Sequence, residues 1–491
     1  MQRKFLTNLG LLLLLNLLIK PFWVFGIDRT VQNIVGVGGY GFYFVVFNFS
    51  FLFNILLDLG ITNFNNRNIA QNSQLLNKHF SGILVLKLLL TLIYILVTFG
   101  IALILGYNGA QLKLLGFLAF NQFLISFILY LRSNISGLLF FRIDSVLSVL
   151  DRFLMILFCG ILLWGNITTT PFRIEWFVYA QTAAYLLTAA TAFLIVVKKA
   201  RFRKLSWNWA FFMMIIKQSA PFALLVLLMT FYNRLDPVML EGLLKEQVGN
   251  EQAGIYASGF RLLDAANMIA YLFSVLLIPI FSRMIKEKTP VERILKLSFT
   301  LIFTPAIIVA LGSHFYSSEL MALLYHAHIY ESAKVFQLLM FGFMAVSSTY
   351  IFGTLLTANG NLKELNCIAL SGLVLNLLLN IFLIPRYQAM GAAISSLVTQ
   401  FFTAIAQVIV VQRIFRFQVN YRYLITLLLF FIGVMLINIF SRIYFIRLEF
   451  LSISHSWLPG FLVMIVVSIA LAAFLKLWSF RSLMNILRPE H

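Results

Sequence analysis

Acidic side chains are scarce in this chain: 17 Asp and Glu stand against 37 Lys and Arg, and charged residues together make up only 11% of its 491 positions. So little charge cannot cover the surface of a water-soluble globule of that length, which excludes a soluble enzyme or binding module. Cysteine is nearly absent. Cys159 and Cys367 both fall in apolar segments without neighbours at metal-ligand spacing, so a disulfide framework or a zinc site has no support and both read as core thiols. No Gly-Lys-Ser or Gly-Lys-Thr phosphate loop occurs, which excludes ATP hydrolysis by that route, and neither a cofactor nor a metal is expected.

Apolar residues fill the space that charge leaves, at 61% of the chain and a mean hydropathy of +0.93. Runs of roughly 20 apolar residues, the length that carries an α-helix across a bilayer, recur about every 35 residues. The chain therefore reads as an all-α integral membrane protein with about 14 transmembrane helices. Its net charge of +20 suggests nucleic acid at first sight. The basic residues are dispersed through short loops, however, and positive-inside topology explains that better, so no nucleic-acid partner is expected.

Taken in order, Arg3 and Lys4 precede an apolar run at 9–18 that resembles a signal peptide, but Lys20, Pro21, Phe22 and Trp23 stand where small residues would mark cleavage. The run is kept as helix 1. The other predicted helices lie near 41–61, 83–105, 114–131, 146–164, 177–197, 221–240, 254–284, 297–311, 335–356, 367–384, 391–411, 423–440 and 458–477. Arg132, Arg142 and Arg152 form a basic interfacial stretch before helix 5 in this threading. The densest basic run, Lys198-Lys199-Ala200-Arg201-Phe202-Arg203-Lys204, is flanked by Trp207 and Trp209 and reads as a central cytoplasmic linker. Basic residues favour the same-side loops about threefold, which places both termini in the cytoplasm.

Gly41-Phe42-Tyr43 opens helix 2 and Gly254-Ile255-Tyr256 opens helix 8, a faint internal repeat. It suggests an N-terminal lobe over 1–197 (helices 1–6), a basic linker over 198–212, a C-terminal lobe over 213–412 (helices 7–12), and a terminal helix pair with cytoplasmic tail over 413–491. Two six-helix lobes related by pseudo-two-fold symmetry place a transporter's substrate site between them, near mid-membrane.

A charge in hydrocarbon costs on the order of 3 kcal/mol on insertion scales, so intramembrane charges mark functional-site candidates. Arg234 and Asp236 end predicted helix 7 beside Pro237, and Arg261, Asp264, Asn267, Tyr271 and Ser274 step by three or four along helix 8. Asn16, Lys20 and Trp23 do the same on helix 1, Asn54 and Asp58 on helix 2, Asn376 and Asn380 on helix 11, and Ser396, Gln400, Thr403 and Gln407 on helix 12. Lys87 lies early in helix 3. Structural pairing, of Lys20 with Asp58 or of Arg234 with Asp236 or Asp264, accounts for any single residue about as well as function does. For the whole set a hydrated, net-cationic cavity is the better account. Gly36-Val37-Gly38-Gly39-Tyr40-Gly41 spells a dinucleotide fingerprint without a preceding strand, so it reads as a flexible extracytoplasmic turn, and His326-Ala327-His328 reads as a solvated loop.

The fourteen spans, Asn233-Arg234-Leu235-Asp236, Ala253-Gly254-Ile255-Tyr256-Ala257, and Ile384-Pro385-Arg386-Tyr387 followed by Gly391-Ala392-Ala393 resemble the Wzx-type polysaccharide flippases. These move O-antigen or capsule repeat units and belong to the multidrug/oligosaccharidyl-lipid/polysaccharide exporter superfamily. The resemblance implies a V-shaped pair of lobes around a central cationic cavity in the bacterial inner membrane. It also implies alternating access that carries undecaprenyl-pyrophosphate-linked oligosaccharide to the periplasmic leaflet, with membrane lipid and polysaccharide polymerase or assembly proteins as partners. Arg234, Arg261, Lys20 and Lys87 are then the substrate contacts. Asp58, Asp236 and Asp264 are charge partners or groups for a coupling proton or sodium ion, and Asn16, Asn54, Asn267, Tyr271, Asn376, Gln400 and Gln407 line the cavity. The rival readings are a lipid II flippase, a cation-coupled multidrug or toxin extruder, and a scaffold of a polysaccharide-assembly complex that transports nothing.

Overall fold

The computed structural model describes residues 15–478, apart from 17, 20, 63–64, 67–68, 70–71, 166–169, 201–206, 245, 419 and 448–456. Within them the regular structure is helical. Eleven helices are long and apolar enough to cross a membrane, and Trp209–Lys217 with Ala220–Arg234, bent by 57°, makes a twelfth. Two of these rods each conceal a hairpin. In the first, Trp23 stacks on the Phe177 ring at 5.6 Å and Tyr43 meets the same ring at 5.3 Å. A straight helix would hold those two residues ~30 Å apart, so the chain reverses between them. Gly36, at φ 79°, is where it turns. In the second, the 54-residue helix Leu362–Phe415 leaves helical geometry at Gln388, and Gly391 lies against the backbone carbonyl of Leu383.

Division at those two breaks gives fourteen long helices among the described residues; the first of them, 21–35, is not one of the predicted spans, and the predicted helix 1 at 9–18 lies mostly outside the described residues. We number them α1 (21–35), α2 (37–52), α3 (Leu75–Ile104), α4 (Gly109–Gly137), α5 (Phe141–Trp164), α6 (Ile174–Ala200) and α7 (Trp209–Arg234). The rest are α8 (Glu246–Lys286), α9 (Glu292–Phe315), α10 (Ile329–Ala358), α11 (362–387), α12 (389–415), α13 (Tyr421–Arg447) and α14 (Trp457–Phe474). Short helices Asp236–Leu243 and Ser317–Leu324 follow α7 and α9.

Local sequence explains three of these boundaries. Asn108 caps α4 reciprocally with Gln111, each side chain taking the other's backbone N–H. Asn208 accepts from the N–H of Phe211 and starts α7 twelve residues before its predicted start. Pro237 lies in the first turn of the short helix after α7, where its missing N–H costs nothing. One expectation changes: of the glycine-rich stretch from Gly36 to Gly41, only Gly36 is a turn and the remainder is already α2.

The chain forms two compact units, Met1–Gly254 and Ile255–His491. The first holds α1–α7, the short helix Asp236–Leu243 and the first turns of α8. Its centre is built from Phe80 and Ile83 of α3, Tyr130 and Leu131 of α4, Ala192 and Val196 of α6, and Phe212 and Ile215 of α7, all buried. Lipid tails are as apolar as these side chains, so close packing and polar contacts, rather than release of water, hold such helices together. Phe231 of α7 meets Phe53, just past α2, edge to face at 5.6 Å.

In the second unit, α8 runs beside α10, with Tyr271 on Tyr350 and the Ser274 hydroxyl 2.6 Å from that of Thr354. The terminal pair α13–α14 is tied to α9 and the turn after it. Tyr316 and Ser441 share a hydrogen bond of 2.8 Å, Ser441 donates to the Gly460 carbonyl, and Arg442 donates to the Phe315 carbonyl.

Candidate functional site

The first polar centre follows from the way α2 ends. After Leu52 the backbone tightens into a 3-10 turn over Asn54–Leu57, which brings Asp58 alongside α3. There the Lys87 ammonium, with only 2% of its surface exposed, donates to Asp58 Oδ1 at 2.7 Å, to the Leu57 carbonyl at 3.0 Å and to Ser126 Oγ at 2.7 Å. A lone buried ammonium would cost several kcal/mol, and a carboxylate with two further acceptors offsets that. Thr62 donates its hydroxyl to the same Asp58 oxygen. One turn along, Asn54 donates to Gln122 at 2.7 Å, Gln122 reaches Ser50, and Tyr94 donates to the Ser50 carbonyl. Predicted site residues Lys87 and Asp58 thus form one polar cluster, and Asn54 belongs to a second one a helical turn away.

A second centre surrounds α1. Its backbone widens into a π-helical turn over Trp23–Asp28, a distortion that recurs at functional sites. Asp28 is 4% exposed and accepts from the Tyr40 hydroxyl at 2.8 Å. Arg152, at the midpoint of α5, holds its guanidinium carbon 5.5 Å from the Trp23 ring and 5.9 Å from Tyr185. Its Nη1 also donates to Met155 Sδ at 3.3 Å, and its Nε lies 3.8 Å from Asp151 Oδ2. Sequence reasoning missed both residues. It started helix 5 at 146 and read Arg152 as interfacial, but α5 begins at Phe141, which moves that residue to mid-span. The available signal was an acid-base pair of segments, Asp28 and Arg152, each inside an apolar run. Asn16 lies nearby in sequence and donates to Ser148 of α5 at 3.1 Å. Lys20 lies outside the described residues.

Arg234 is the last residue of α7, with its guanidinium carbon 5.1 Å from the Phe51 ring of α2. Asp236 is fully buried in the first turn of the following short helix, where exposed N–H groups favour a carboxylate. Glu241 anchors that helix by accepting from Gln111 at 2.9 Å.

The remaining predicted residues belong to the second unit. Arg261, Asp264, Asn267 and Tyr271 follow one face of the continuous α8, and the Asn267 side-chain oxygen is buried without a hydrogen-bond partner among the described residues. Tyr271 is half exposed beside Tyr350. On α11, Asn376 and Asn380 are fully buried and bonded to each other at 3.1 Å. On α12, Gln400 and Gln407 are buried, and Gly353 of α10 leaves room for the Gln407 amide. The structure thus gathers Asp58 and Lys87 at one place with Asn54 a helical turn away, sets Arg152 and Asp28 around α1, and sets Arg234 on α2.

The polysaccharide biosynthesis protein family matches residues 5–285, more than half of the chain. The chain belongs to that family. No curated protein matches it. Among solved structures it is similar to "Lipid II flippase MurJ, inward closed conformation", at 14% identity, with 96% of this chain and 100% of that one covered and a TM-score of 0.69. It is also similar to an inward-facing multidrug resistance MATE family transporter of the MOP superfamily, at 13% identity, 81% and 96% coverage and a TM-score of 0.60. A MOP superfamily transporter from Pyrococcus furiosus, whose binding pocket is described as having reverse polarity, matches at 15% identity, 82% and 91% coverage and a TM-score of 0.54. This polysaccharide biosynthesis protein therefore has the fold of the MurJ and MATE transporters. Those structural neighbours are flippases and transporters.

Proposed function

We propose that the chain flips undecaprenyl-pyrophosphate-linked oligosaccharide repeat units from the cytoplasmic to the periplasmic leaflet of the bacterial inner membrane by alternating access. The observation that carries this reading is Arg152, a guanidinium at mid-span whose faces lie against Trp23 and Tyr185. A pyrophosphate leaving water needs permanently charged, planar donors, and Arg152 would exchange present contacts, among them Met155 Sδ at 3.3 Å and Asp151 Oδ2 at 3.8 Å, for phosphate oxygens. Arg234, Arg261 and Lys20 extend the cationic route in this proposal, and Lys87 enters it as half of its pair with Asp58. Asp264 and Asp236 serve as charge partners or as carboxylates for a coupling proton or sodium ion. The lobes of the proposal are α1–α6 and α7–α12, with α13–α14 appended. An inside-negative potential helps an anion outward by about 2.3 kcal/mol per charge per 100 mV, so the cycle needs no nucleotide.

Proteoliposomes containing the purified chain and a short fluorescent polyprenyl-pyrophosphate disaccharide test the proposal, with a membrane-impermeant quencher reporting which leaflet holds the probe. Protein-dependent redistribution that falls at least tenfold in Arg152→Ala is expected. Lipid II is the rival cargo, because a lipid II flippase shares the fold along its full length. Redistribution of a lipid II probe in preference to the disaccharide would assign the chain to that cargo.

A further inference from the structure

A cavity of about 520 Å³ opens in the second unit where the α8–α9 turn meets the α12–α13 turn. Lys288, Thr289, Glu292, Arg416 and Gln418 supply its polar wall, and Phe415 and Phe417 its apolar one. We propose that this cavity binds the phosphate headgroup of an anionic membrane lipid.

Lys288 and Arg416 are the two cations of the wall, and each has a left-handed backbone, at φ 54° and 52°. Few residues other than glycine adopt that geometry, and it persists where the surroundings impose it. In both cases it ends a helix: the Lys288 N–H bonds the Ile285 carbonyl and the Arg416 N–H bonds the Gln412 carbonyl. The two ends of α8 and α12 thus carry a cation apiece into one cavity. Glu292 is the single carboxylate of the lining, and the other acid of the α8–α9 turn, Glu287, is engaged by Arg283 at 2.8 Å. The cavity is net positive, and Lys286 and Arg413 flank it in sequence.

Position selects a lipid over a soluble anion. The apolar windows of α8, α9, α12 and α13 all end at these turns, so the cavity lies at the edge of the hydrocarbon. The second turn of α9 holds the Lys296 ammonium 4.6 Å from the Tyr423 ring at the start of α13, an aromatic and a cation at headgroup depth. Phe415 and Phe417 stack at 5.4 Å on the cavity wall and give an adjoining glycerol and acyl segment an apolar surface.

The full chain in nanodiscs tests this. Thermal unfolding is followed in phosphatidylcholine discs containing increasing phosphatidylglycerol, and retained lipids are counted by native mass spectrometry. Each basic side chain near an anionic surface contributes about fivefold, so Lys288→Gln with Arg416→Gln should weaken phosphatidylglycerol retention about thirtyfold. Lys288→Arg with Arg416→Lys should retain the response, as should Lys363→Gln in the first turn of α11, which removes one such charge outside the cavity. A full response in the double Gln variant, or an equal loss in Lys363→Gln, overturns the proposal. If millimolar inorganic phosphate in pure phosphatidylcholine discs reproduces the stabilisation in the native chain but not in the double variant, the ligand is a soluble phosphate and the lipid assignment falls.

Discussion

Gly41 of α2 and Gly254 of α8 lie in backbone contact. A Cβ on Gly41 would overlap the carbonyl oxygen of Asn250, and one on Gly254 would overlap that of Val37. The two contacts are reciprocal: each glycine meets the carbonyl of the residue four positions before the other. Gln32 adds a hydrogen bond of 3.1 Å to the Gly254 carbonyl. The faint repeat in the sequence is therefore also a place where the repeated helices touch.

Alanine at either position should lower the unfolding temperature in detergent by several degrees, because the obstacle is backbone and cannot rotate away. Gly38→Ala is the control, since no atom lies within 4 Å of its added Cβ. In a helix interior that change should be neutral or stabilising by up to about 1 kcal/mol. Equal behaviour of Gly38→Ala and Gly41→Ala would remove the contact as the cause.

Removing one partner of the Lys87–Asp58 pair strands a buried charge. Asp58→Asn, which strands the buried Lys87 ammonium, should cost about 3 kcal/mol, Lys87→Met should cost less because Asp58 is 23% exposed, and the double variant should recover a large part of the larger loss. Unfolding by heat at fixed detergent concentration measures the cycle. Additive losses would show that the two side chains act separately.

Arg152 makes a prediction about shape as well as charge. Lysine keeps the charge but has no planar face to stack or fork to offer, so Arg152→Lys should reduce transport several-fold with unchanged protein level. Export of surface polysaccharide in a strain dependent on the chain, normalised to membrane protein, provides the measurement. Full activity in Arg152→Lys would leave only a point charge at that position.

The hairpin residues give opposite signs. Gln388 turns the chain at φ 53° and ψ −131°, and Gln388→Gly should relieve strain and stabilise by about 0.5–1 kcal/mol. Gly36 turns it at φ 79° and ψ 163°, a region open essentially to glycine, so Gly36→Ala should cost about 1–3 kcal/mol. Thermal shifts of the two variants in the same detergent check both.

The approximate positions of the helices from α3 onward were legible because each span must satisfy the bilayer on its own, which writes about twenty apolar residues into the chain regardless of what packs beside them, whereas α1 at 21–35 was not. The break at Pro237 and the polar faces of α11 and α12 were legible for similar local reasons. The start of α7 was not, because the cap at Asn208 precedes the apolar run. Nor was the end of α2, where the 3-10 turn shifts Asp58 by a fraction of a helical turn.

By itself the sequence determined a many-helix membrane protein, which residues are charged within it, and membership of a polysaccharide biosynthesis family, since hydropathy and short motifs are properties of neighbouring residues. Only the tertiary structure decided that Asp58 meets Lys87, that Arg152 lies between Trp23 and Tyr185, and that Gly41 faces Gly254. Those pairings join residues from 29 to more than 200 positions apart, and partner choice at that range depends on the rotation and depth of whole helices, which no local pattern specifies.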